Sequence, residues 1–293
     1  MQILITGASG FIGRNLKEQL AEKYEILAPS RDELDLLDAG KVQRYLEAHG
    51  FAAVIHAATW DATRNSDKDT SLVLEHNLTM FLNIARCSSA YGKLIHFGSG
   101  AEFAREHWIP RMKEDYFGEH VPQDSYGLSK YLIHQHGERA DNIVNLRLFG
   151  VFGKYEDWEI RFISNACCKA ILDLPITIKQ NVRFDYLYVD DLVRITDWFI
   201  QNRPEEKAYN ICTGQTHDLI TLAEKVLRVS GKELEIRVAR PGLGTECSGD
   251  PSKFLRRVGG FAFSDIDASV KELYEWYQSH RADIDRGLLV SDK

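Results

Sequence analysis

The sequence predicts an α/β fold, a Rossmann-type doubly wound parallel sheet with a smaller C-terminal substrate-binding lobe. Three observations lead there. Short apolar segments at 2–6, 25–28, 52–56, 93–97 and 142–148 alternate with amphipathic stretches at 11–23, 41–49, 70–91 and 126–139. Such strand–helix alternation builds a parallel sheet with helices on both faces. The strands read as nearly continuous apolar runs, as expected when both faces are covered. The first strand-to-helix junction carries three glycines, Gly7, Gly10 and Gly13.

Beyond residue 150 the rhythm loosens. Helical patterns are expected at 157–172, 190–201, 218–230 and 264–280, and strands at 183–189 and 208–212; the Gly- and Pro-rich stretch 240–250 reads as a loop. The expected division is a dinucleotide-binding domain of residues 1–153 plus 181–215 and a substrate-binding lobe of 154–180 plus 216–293. The lobe is expected over the carboxyl edge of the sheet, where ligands bind in such folds.

The chain has 293 residues, 44% hydrophobic and 27% charged, which excludes disorder and a fibrous repeat. A net charge of −7 argues against a nucleic-acid partner. No apolar run approaches the roughly 18 residues of a membrane span. Five cysteines show neither a C-x-x-C pair nor zinc spacing, so no metal is expected and reduced thiols in a cytoplasmic protein are. The N-terminus lacks the basic and long apolar regions of a signal peptide.

The strongest motif is Thr6-Gly7-Ala8-Ser9-Gly10-Phe11-Ile12-Gly13. Gly7 permits the tight turn, Gly10 lets a pyrophosphate approach the backbone, and Gly13 allows close packing of helix on strand. The helix N-terminus offers free N–H groups and a partial positive charge to phosphates. Past the second strand, Arg31 is the first charge and suits the 2′-phosphate of NADPH. Asp32 and Glu33 follow and could serve the ribose of NAD instead.

Tyr126 and Lys130 sit at i and i+4 of a helical segment, so phenol and ammonium share a face. A lysine charge beside a phenol favours its ionised form and is expected to bring the tyrosine toward neutral pH. Ser99 ends a strand in a Gly-Ser-Gly turn, where its hydroxyl can donate to a carbonyl oxygen.

Together these pieces resemble the extended short-chain dehydrogenase/reductase family of nucleotide-sugar enzymes. Val54-Ile55-His56-Ala57-Ala58 is similar to the family's third strand, Asp35-Leu36 to its adenine-contacting pair, Asn77 to its fourth-helix asparagine, and Val189-Asp190-Asp191-Leu192 to its junction near the substrate lobe. Residues 31–38 look most like the 4-keto reductase branch that includes GDP-fucose synthase. The resemblance implies NADPH-dependent reduction, at C4, of a 4-keto-6-deoxy sugar on a nucleoside diphosphate. Tyr126 would supply the proton, Lys130 would hold the nicotinamide ribose, and Ser99 would bond the same oxygen. Cofactor contacts are implied for the glycine turn with Ser9, Phe11 and Ile12, for Arg31, Asp35 and Leu36, for Ala57 and Ala58, for Tyr126 and Lys130, and for Phe149. Substrate contacts are implied for Ser99 and Gly100. Arg183 and Arg240 are candidates for the diphosphate, and a homodimer through the helices at 77–90 and 126–139 is expected.

Departures narrow this. Dehydratases of the family place acids directly after the catalytic hydroxyl, where this chain has Gly100-Ala101; Glu102 comes one position late. The cysteine and histidine expected of an epimerising reductase are absent from the matching positions. The asparagine expected after the strand at 142–148 is Gly150, and Phe184 occupies the slot of the family's phosphate-binding arginine. His56 and His96 read as core residues and His134 and His136 as surface ones; Trp60 either walls the nicotinamide or substrate pocket or packs in the core. Two rival functions remain: an NAD-dependent 4-epimerase and a non-catalytic NADP-binding regulator.

Overall fold

Six parallel strands make the central sheet: β1 (Gln2–Thr6), β2 (Glu25–Leu27), β3 (Phe51–His56), β4 (Tyr91–Ser99), β5 (Ile143–Leu148) and a later strand, residues 208–211. In a computed structural model describing residues 1–290 apart from 62, 64 and 66, the strand order is residues 208–211, then β5-β4-β3-β1-β2. Order reverses between β1 and β3, which is where ligands enter such sheets.

Alternation along each strand feeds two layers. Ile3, Ile5, Ile55, Ile95 and Phe97 face one side, covered by α1 (Phe11–Leu20) and by helices at 189–201 and 252–258. Leu4, Val54 and Leu94 face the other, beneath α2 (Ala39–His49), α3 (Val73–Ala85) and α4 (Ser125–Gly137). The predicted fold class holds.

The remaining elements are β6 (Gly150–Phe152), α5 (Phe162–Ile171), β7 (Ile176–Asn181), β8 (Arg183–Phe184), β9 (Tyr186–Tyr188), α6 (Val189–Gln201), β10 (Ala208–Ile211), β11 (His217–Asp218), α7 (Leu219–Ser230), β12 (Ile236–Leu243), α8 (Ser252–Val258), α9 (Ile266–Ser279) and α10 (Arg286–Val290). A separate apolar cluster joins α5, α7 and α9 through Ile163, Cys167, Leu222, Val226, Leu273 and Tyr277. Gln19 of α1 donates to Asp190 Oδ1 at 2.6 Å, tying the Val-Asp-Asp junction to the cofactor-side helix.

Four expectations need correction. The strand expected at 183–189 breaks at Asp185, whose carboxylate turns away to accept from Thr213 N and Gly214 N at 2.8 and 2.7 Å. The loop expected at 240–250 begins as strand, because β12 pairs with β7 as far as Leu243. That ladder slips across Pro241, which has no N–H, and Gly242, at φ +81°. The helix expected from 157 starts at Phe162; Asp157 Oδ1 instead accepts from Glu159 N and holds a turn. The helix expected over 70–91 ends at Ala85, flanked by 3₁₀ turns at 70–72 and 88–90.

All five cysteines are buried and unpaired. Among the described residues no helix is long and apolar enough to cross a membrane, and no group of three or more His, Cys, Asp or Glu side chains is arranged to hold a metal.

Candidate active site

The glycine turn sits at the β1/β3 switch point. Gly7 adopts φ +71°, and a Cβ there would lie 2.6 Å from the Ala58 backbone; a Cβ on Gly13 would lie 2.2 Å from Gly7 O. These glycines are demanded by the protein's own packing. At Gly10 the nearest atom to such a Cβ is Gly7 O at 3.4 Å, so packing does not call for glycine there. Close approach of a ligand to the backbone does. No side chain caps the N-terminus of α1, which leaves its N–H groups to a phosphate. Ser9 is exposed beside them, whereas Phe11 and Ile12 are half-buried and pack inward. The site therefore fits the pyrophosphate of a dinucleotide.

On the β2 side, Glu33 is already engaged, its Oε2 accepting from Ser30 N at 2.7 Å. Arg31 is exposed, with its guanidinium carbon 5.7 Å from the centre of the Trp60 ring. Asp35 Oδ1 accepts from Leu37 N at 3.0 Å, and Leu36 O accepts from Asn83 Nδ2 at 2.9 Å, so this turn is held from below. Asn77 brackets the segment after β3, accepting from Trp60 N at 2.7 Å and donating to Trp60 O at 3.1 Å. Trp60 is half-buried, edge-on to His76, and faces Arg31.

Ser99, Tyr126 and Lys130 converge at the carboxyl end of β4. The Ser99 hydroxyl bears on the Tyr126 phenol and favours its ionised form. Lys130 Nζ donates to Phe97 O at 2.8 Å and lies 5.8 Å from the Tyr126 ring centre. The helix α4 that carries both starts at Asp124, whose side chain accepts from Gly127 N.

The electrostatics differ from the sequence expectation in sign. Burial pushes the Tyr126 phenol up; the Ser99 hydroxyl and the Arg161 and Arg105 guanidiniums pull it back, Glu102 opposes them, and burial wins. Lys130 does not offset this burial: its ammonium gives one hydrogen bond to a backbone carbonyl and is itself pushed down to about 8 by burial. Tyr126 thus stays protonated at neutral pH.

Below Ser99 lies a polar cluster that the sequence reading missed. His134 is 3% exposed, correcting its expected place on the surface, while His136 is exposed as expected. His134 Nδ1 lies 2.8 Å from Glu102 Oε2. The Ser99-x-x-Glu102 spacing of a capping box was the available signal. His56 and His96 are buried core residues, with rings 5.5 Å apart.

Gly150 abuts Asp185 O, which a Cβ would approach to 2.8 Å; no side chain fits where the family keeps asparagine. Phe149 packs on the Ser99 turn, 2.9 Å from where a Gly100 Cβ would stand. Arg183 lies on β8 opposite Asp218, and Arg240 on β12 opposite Gln180, both exposed. The guanidiniums bearing on Tyr126 are instead Arg105 and Arg161, which the sequence reading did not single out; Arg105 lies 5.8 Å from its ring centre.

Residues 3–212 match the model of the NAD dependent epimerase/dehydratase family. The chain is 27% identical to GDP-6-deoxy-D-talose 4-dehydrogenase of Aggregatibacter actinomycetemcomitans, over 94% of this chain and 97% of the relative. It is also 27% identical to UDP-glucose 4-epimerase of Bacillus subtilis, over 96% and 98%. In structure it resembles a GDP-mannoheptose C4 reductase from Campylobacter jejuni, solved with NADP bound, with a TM-score of 0.82 at 21% identity over 94% and 98% of the two chains.

Proposed function

As the chain belongs to the NAD-dependent epimerase/dehydratase family, we propose that it reduces the C4 keto group of a nucleoside-diphosphate 4-keto-6-deoxy sugar with NADPH. The observation that carries this reading is a protonated Tyr126 that faces the Ser99 hydroxyl and stands next to a buried Lys130. Carbonyl reduction needs a proton donor at the oxygen, and a phenol held above its usual range is one at neutral pH.

NADPH held at the glycine turn would supply the hydride for C4. Tyr126 gives its proton to the C4 oxygen as charge builds there. Ser99 donates a hydrogen bond to the same oxygen and fixes it within reach of the phenol. The Lys130 ammonium stabilises the phenolate left on Tyr126 and holds the nicotinamide ribose. The backbone N–H groups at the start of α1 hold the pyrophosphate, and Arg31, with Glu33 drawn off to Ser30, takes the 2′-phosphate. Arg183 and Arg240 remain candidates for the substrate diphosphate. Exposed Leu82 and Leu132, on the packed pair α3 and α4, support a homodimer through those helices.

Dehydration at C5–C6 is disfavoured on this chain. Positions 100 and 101 carry no acid, and Glu102 is fully buried and ion-paired to Arg147. The 4-epimerase is the second reading, favoured by the likeness to UDP-glucose 4-epimerase. The test is oxidation of NADPH and of NADH against 4-keto-6-deoxy sugars carried on GDP, CDP, dTDP and UDP, with the purified protein also assayed for bound cofactor. The reductase oxidises NADPH in preference to NADH and exchanges it freely. Tightly retained NAD with interconversion of C4 epimers overturns that in favour of the epimerase.

A further inference from the structure

We propose that Glu102 is a positioning residue of the catalytic centre: its buried carboxylate, clamped by Arg147, holds the Ser99 turn so that the Ser99 hydroxyl meets the Tyr126 phenol. The inference rests on the catalytic reading of Ser99 and Tyr126 given above.

Ser99 is the last residue of β4 and the cap of a 3₁₀ turn at Gly100–Phe103. Its Oγ accepts from Ala101 N at 3.2 Å, and its own N–H donates to Glu102 Oε1 at 3.0 Å. Both hydrogen bonds set the orientation of the Ser99 side chain. Glu102 cannot drift, because Arg147 Nε donates to Oε2 at 2.9 Å and Asn145 Nδ2 lies 3.1 Å from each oxygen. Arg147 is fixed in turn by Asn210 Oδ1, 2.9 Å from Nη1, and by the Phe103 ring, 4.3 Å below its guanidinium. The chain of contacts thus runs from the Ser99 turn across β5 to β10. His134 fills the gap between acid and base, its Nδ1 2.8 Å from Glu102 Oε2 and 2.7 Å from Arg147 Nη2.

The backbone is built around this carboxylate. A Cβ on Gly98 would stand 2.1 Å from Glu102 Oε1, so glycine before Ser99 is the condition for glutamate after it. Glu102 and Arg147 are both 0% exposed. A buried ion pair is a poor stabiliser, since desolvation offsets much of its attraction and an apolar pair of similar shape serves as well. Its value here lies in the directed hydrogen bond to Ser99 N.

The test replaces the pair by apolar side chains of similar size, Glu102→Val with Arg147→Met, on the native and the Ser99→Ala backgrounds. Positioning predicts unchanged thermal midpoint and NADPH affinity, KM within about threefold, and kcat lower by about tenfold or more on the native background. On the Ser99→Ala background the same replacement costs less than about twofold in kcat, because the group it places is gone. Amide exchange of residues 98–104, read without substrate, speeds up by about tenfold. Unchanged exchange, an unchanged kcat, or equal losses on both backgrounds overturns the proposal. If this double replacement does not fold, Glu102→Leu with Arg147→Leu is put through the same measurements with the same criteria. Should Ser99→Ala and Tyr126→Phe both keep full turnover, it is the catalytic reading that fails, and that result is separate from those above.

Discussion

Two glutamates, Glu102 in the Ser99 turn and Glu156 in the α5–α7–α9 region, are both buried and oppositely poised. Glu102 is 0% exposed and Glu156 6%. Burial raises both. For Glu102 the Arg147 guanidinium, His134 and Asn145 outweigh it and bring the carboxyl down to about 2. Glu156 has the Ser164 hydroxyl at 2.6 Å and a more distant Arg161, which do not suffice, and it is pushed up to about 8. One acid is therefore a fixed anion and the other a neutral hydrogen-bonding group at pH 7. Burial alone decides neither; a cation in contact does.

The largest expected effect comes from removing that cation. Arg147→Ala leaves Glu102 buried and unpaired, which costs about 3–5 kcal/mol. Urea unfolding at pH 7 measures it, and a loss under about 1 kcal/mol would mean that Arg147 is not what separates the two glutamates. Next is Glu156→Gln. The native acid stays protonated while the unfolded chain ionises near 4.5, so its contribution is fully present below pH 4.5 and falls by about 1.4 kcal/mol per pH unit until about pH 8. The glutamine has no such dependence and should be more stable than the native protein at pH 8 by on the order of 4 kcal/mol, with little difference at pH 4. Parallel unfolding curves at the two pH values would break the comparison. Glu102 runs the other way, its contribution present above pH 4.5 and lost as pH falls toward about 2. The smallest effect is Ser164→Ala, which removes the hydroxyl donor to Glu156. It should cost about 1 kcal/mol at pH 6 and move the alkaline loss of stability to higher pH.

The cofactor half was readable because its signals are local. Gly13 is demanded by the backbone of Gly7 within the same turn, the three glycines fall together at one strand-to-helix junction, and Tyr126 and Lys130 share a face by helix period alone. The Glu102–Arg147 pair joins residues 45 apart, one in the turn after β4 and one on β5, so only the capping spacing at Ser99 hinted at it. The position of His134 was misread for the same reason: its burial comes from Glu102 and from Phe117, whose ring stacks on it at 3.9 Å. Beyond residue 150 the strands are two or three residues long at β6, β8 and β9, too short to show a period. The expected shift of Tyr126 failed on a quantity that spacing cannot carry, the burial of the phenol and of the ammonium that donates to Phe97 O.

The central claim, that Tyr126 is the proton donor of a keto-sugar reductase, is tested most directly by NADPH oxidation at pH 7 with the native protein and Tyr126→Phe. The four nucleoside-diphosphate 4-keto-6-deoxy sugars serve as substrates, and NADPH affinity is titrated in parallel. The account predicts turnover with at least one sugar and a fall in kcat of about 10²–10⁴-fold in the variant, with NADPH affinity within about twofold. Native-like turnover by Tyr126→Phe, or no oxidation with any of the four sugars, would contradict it.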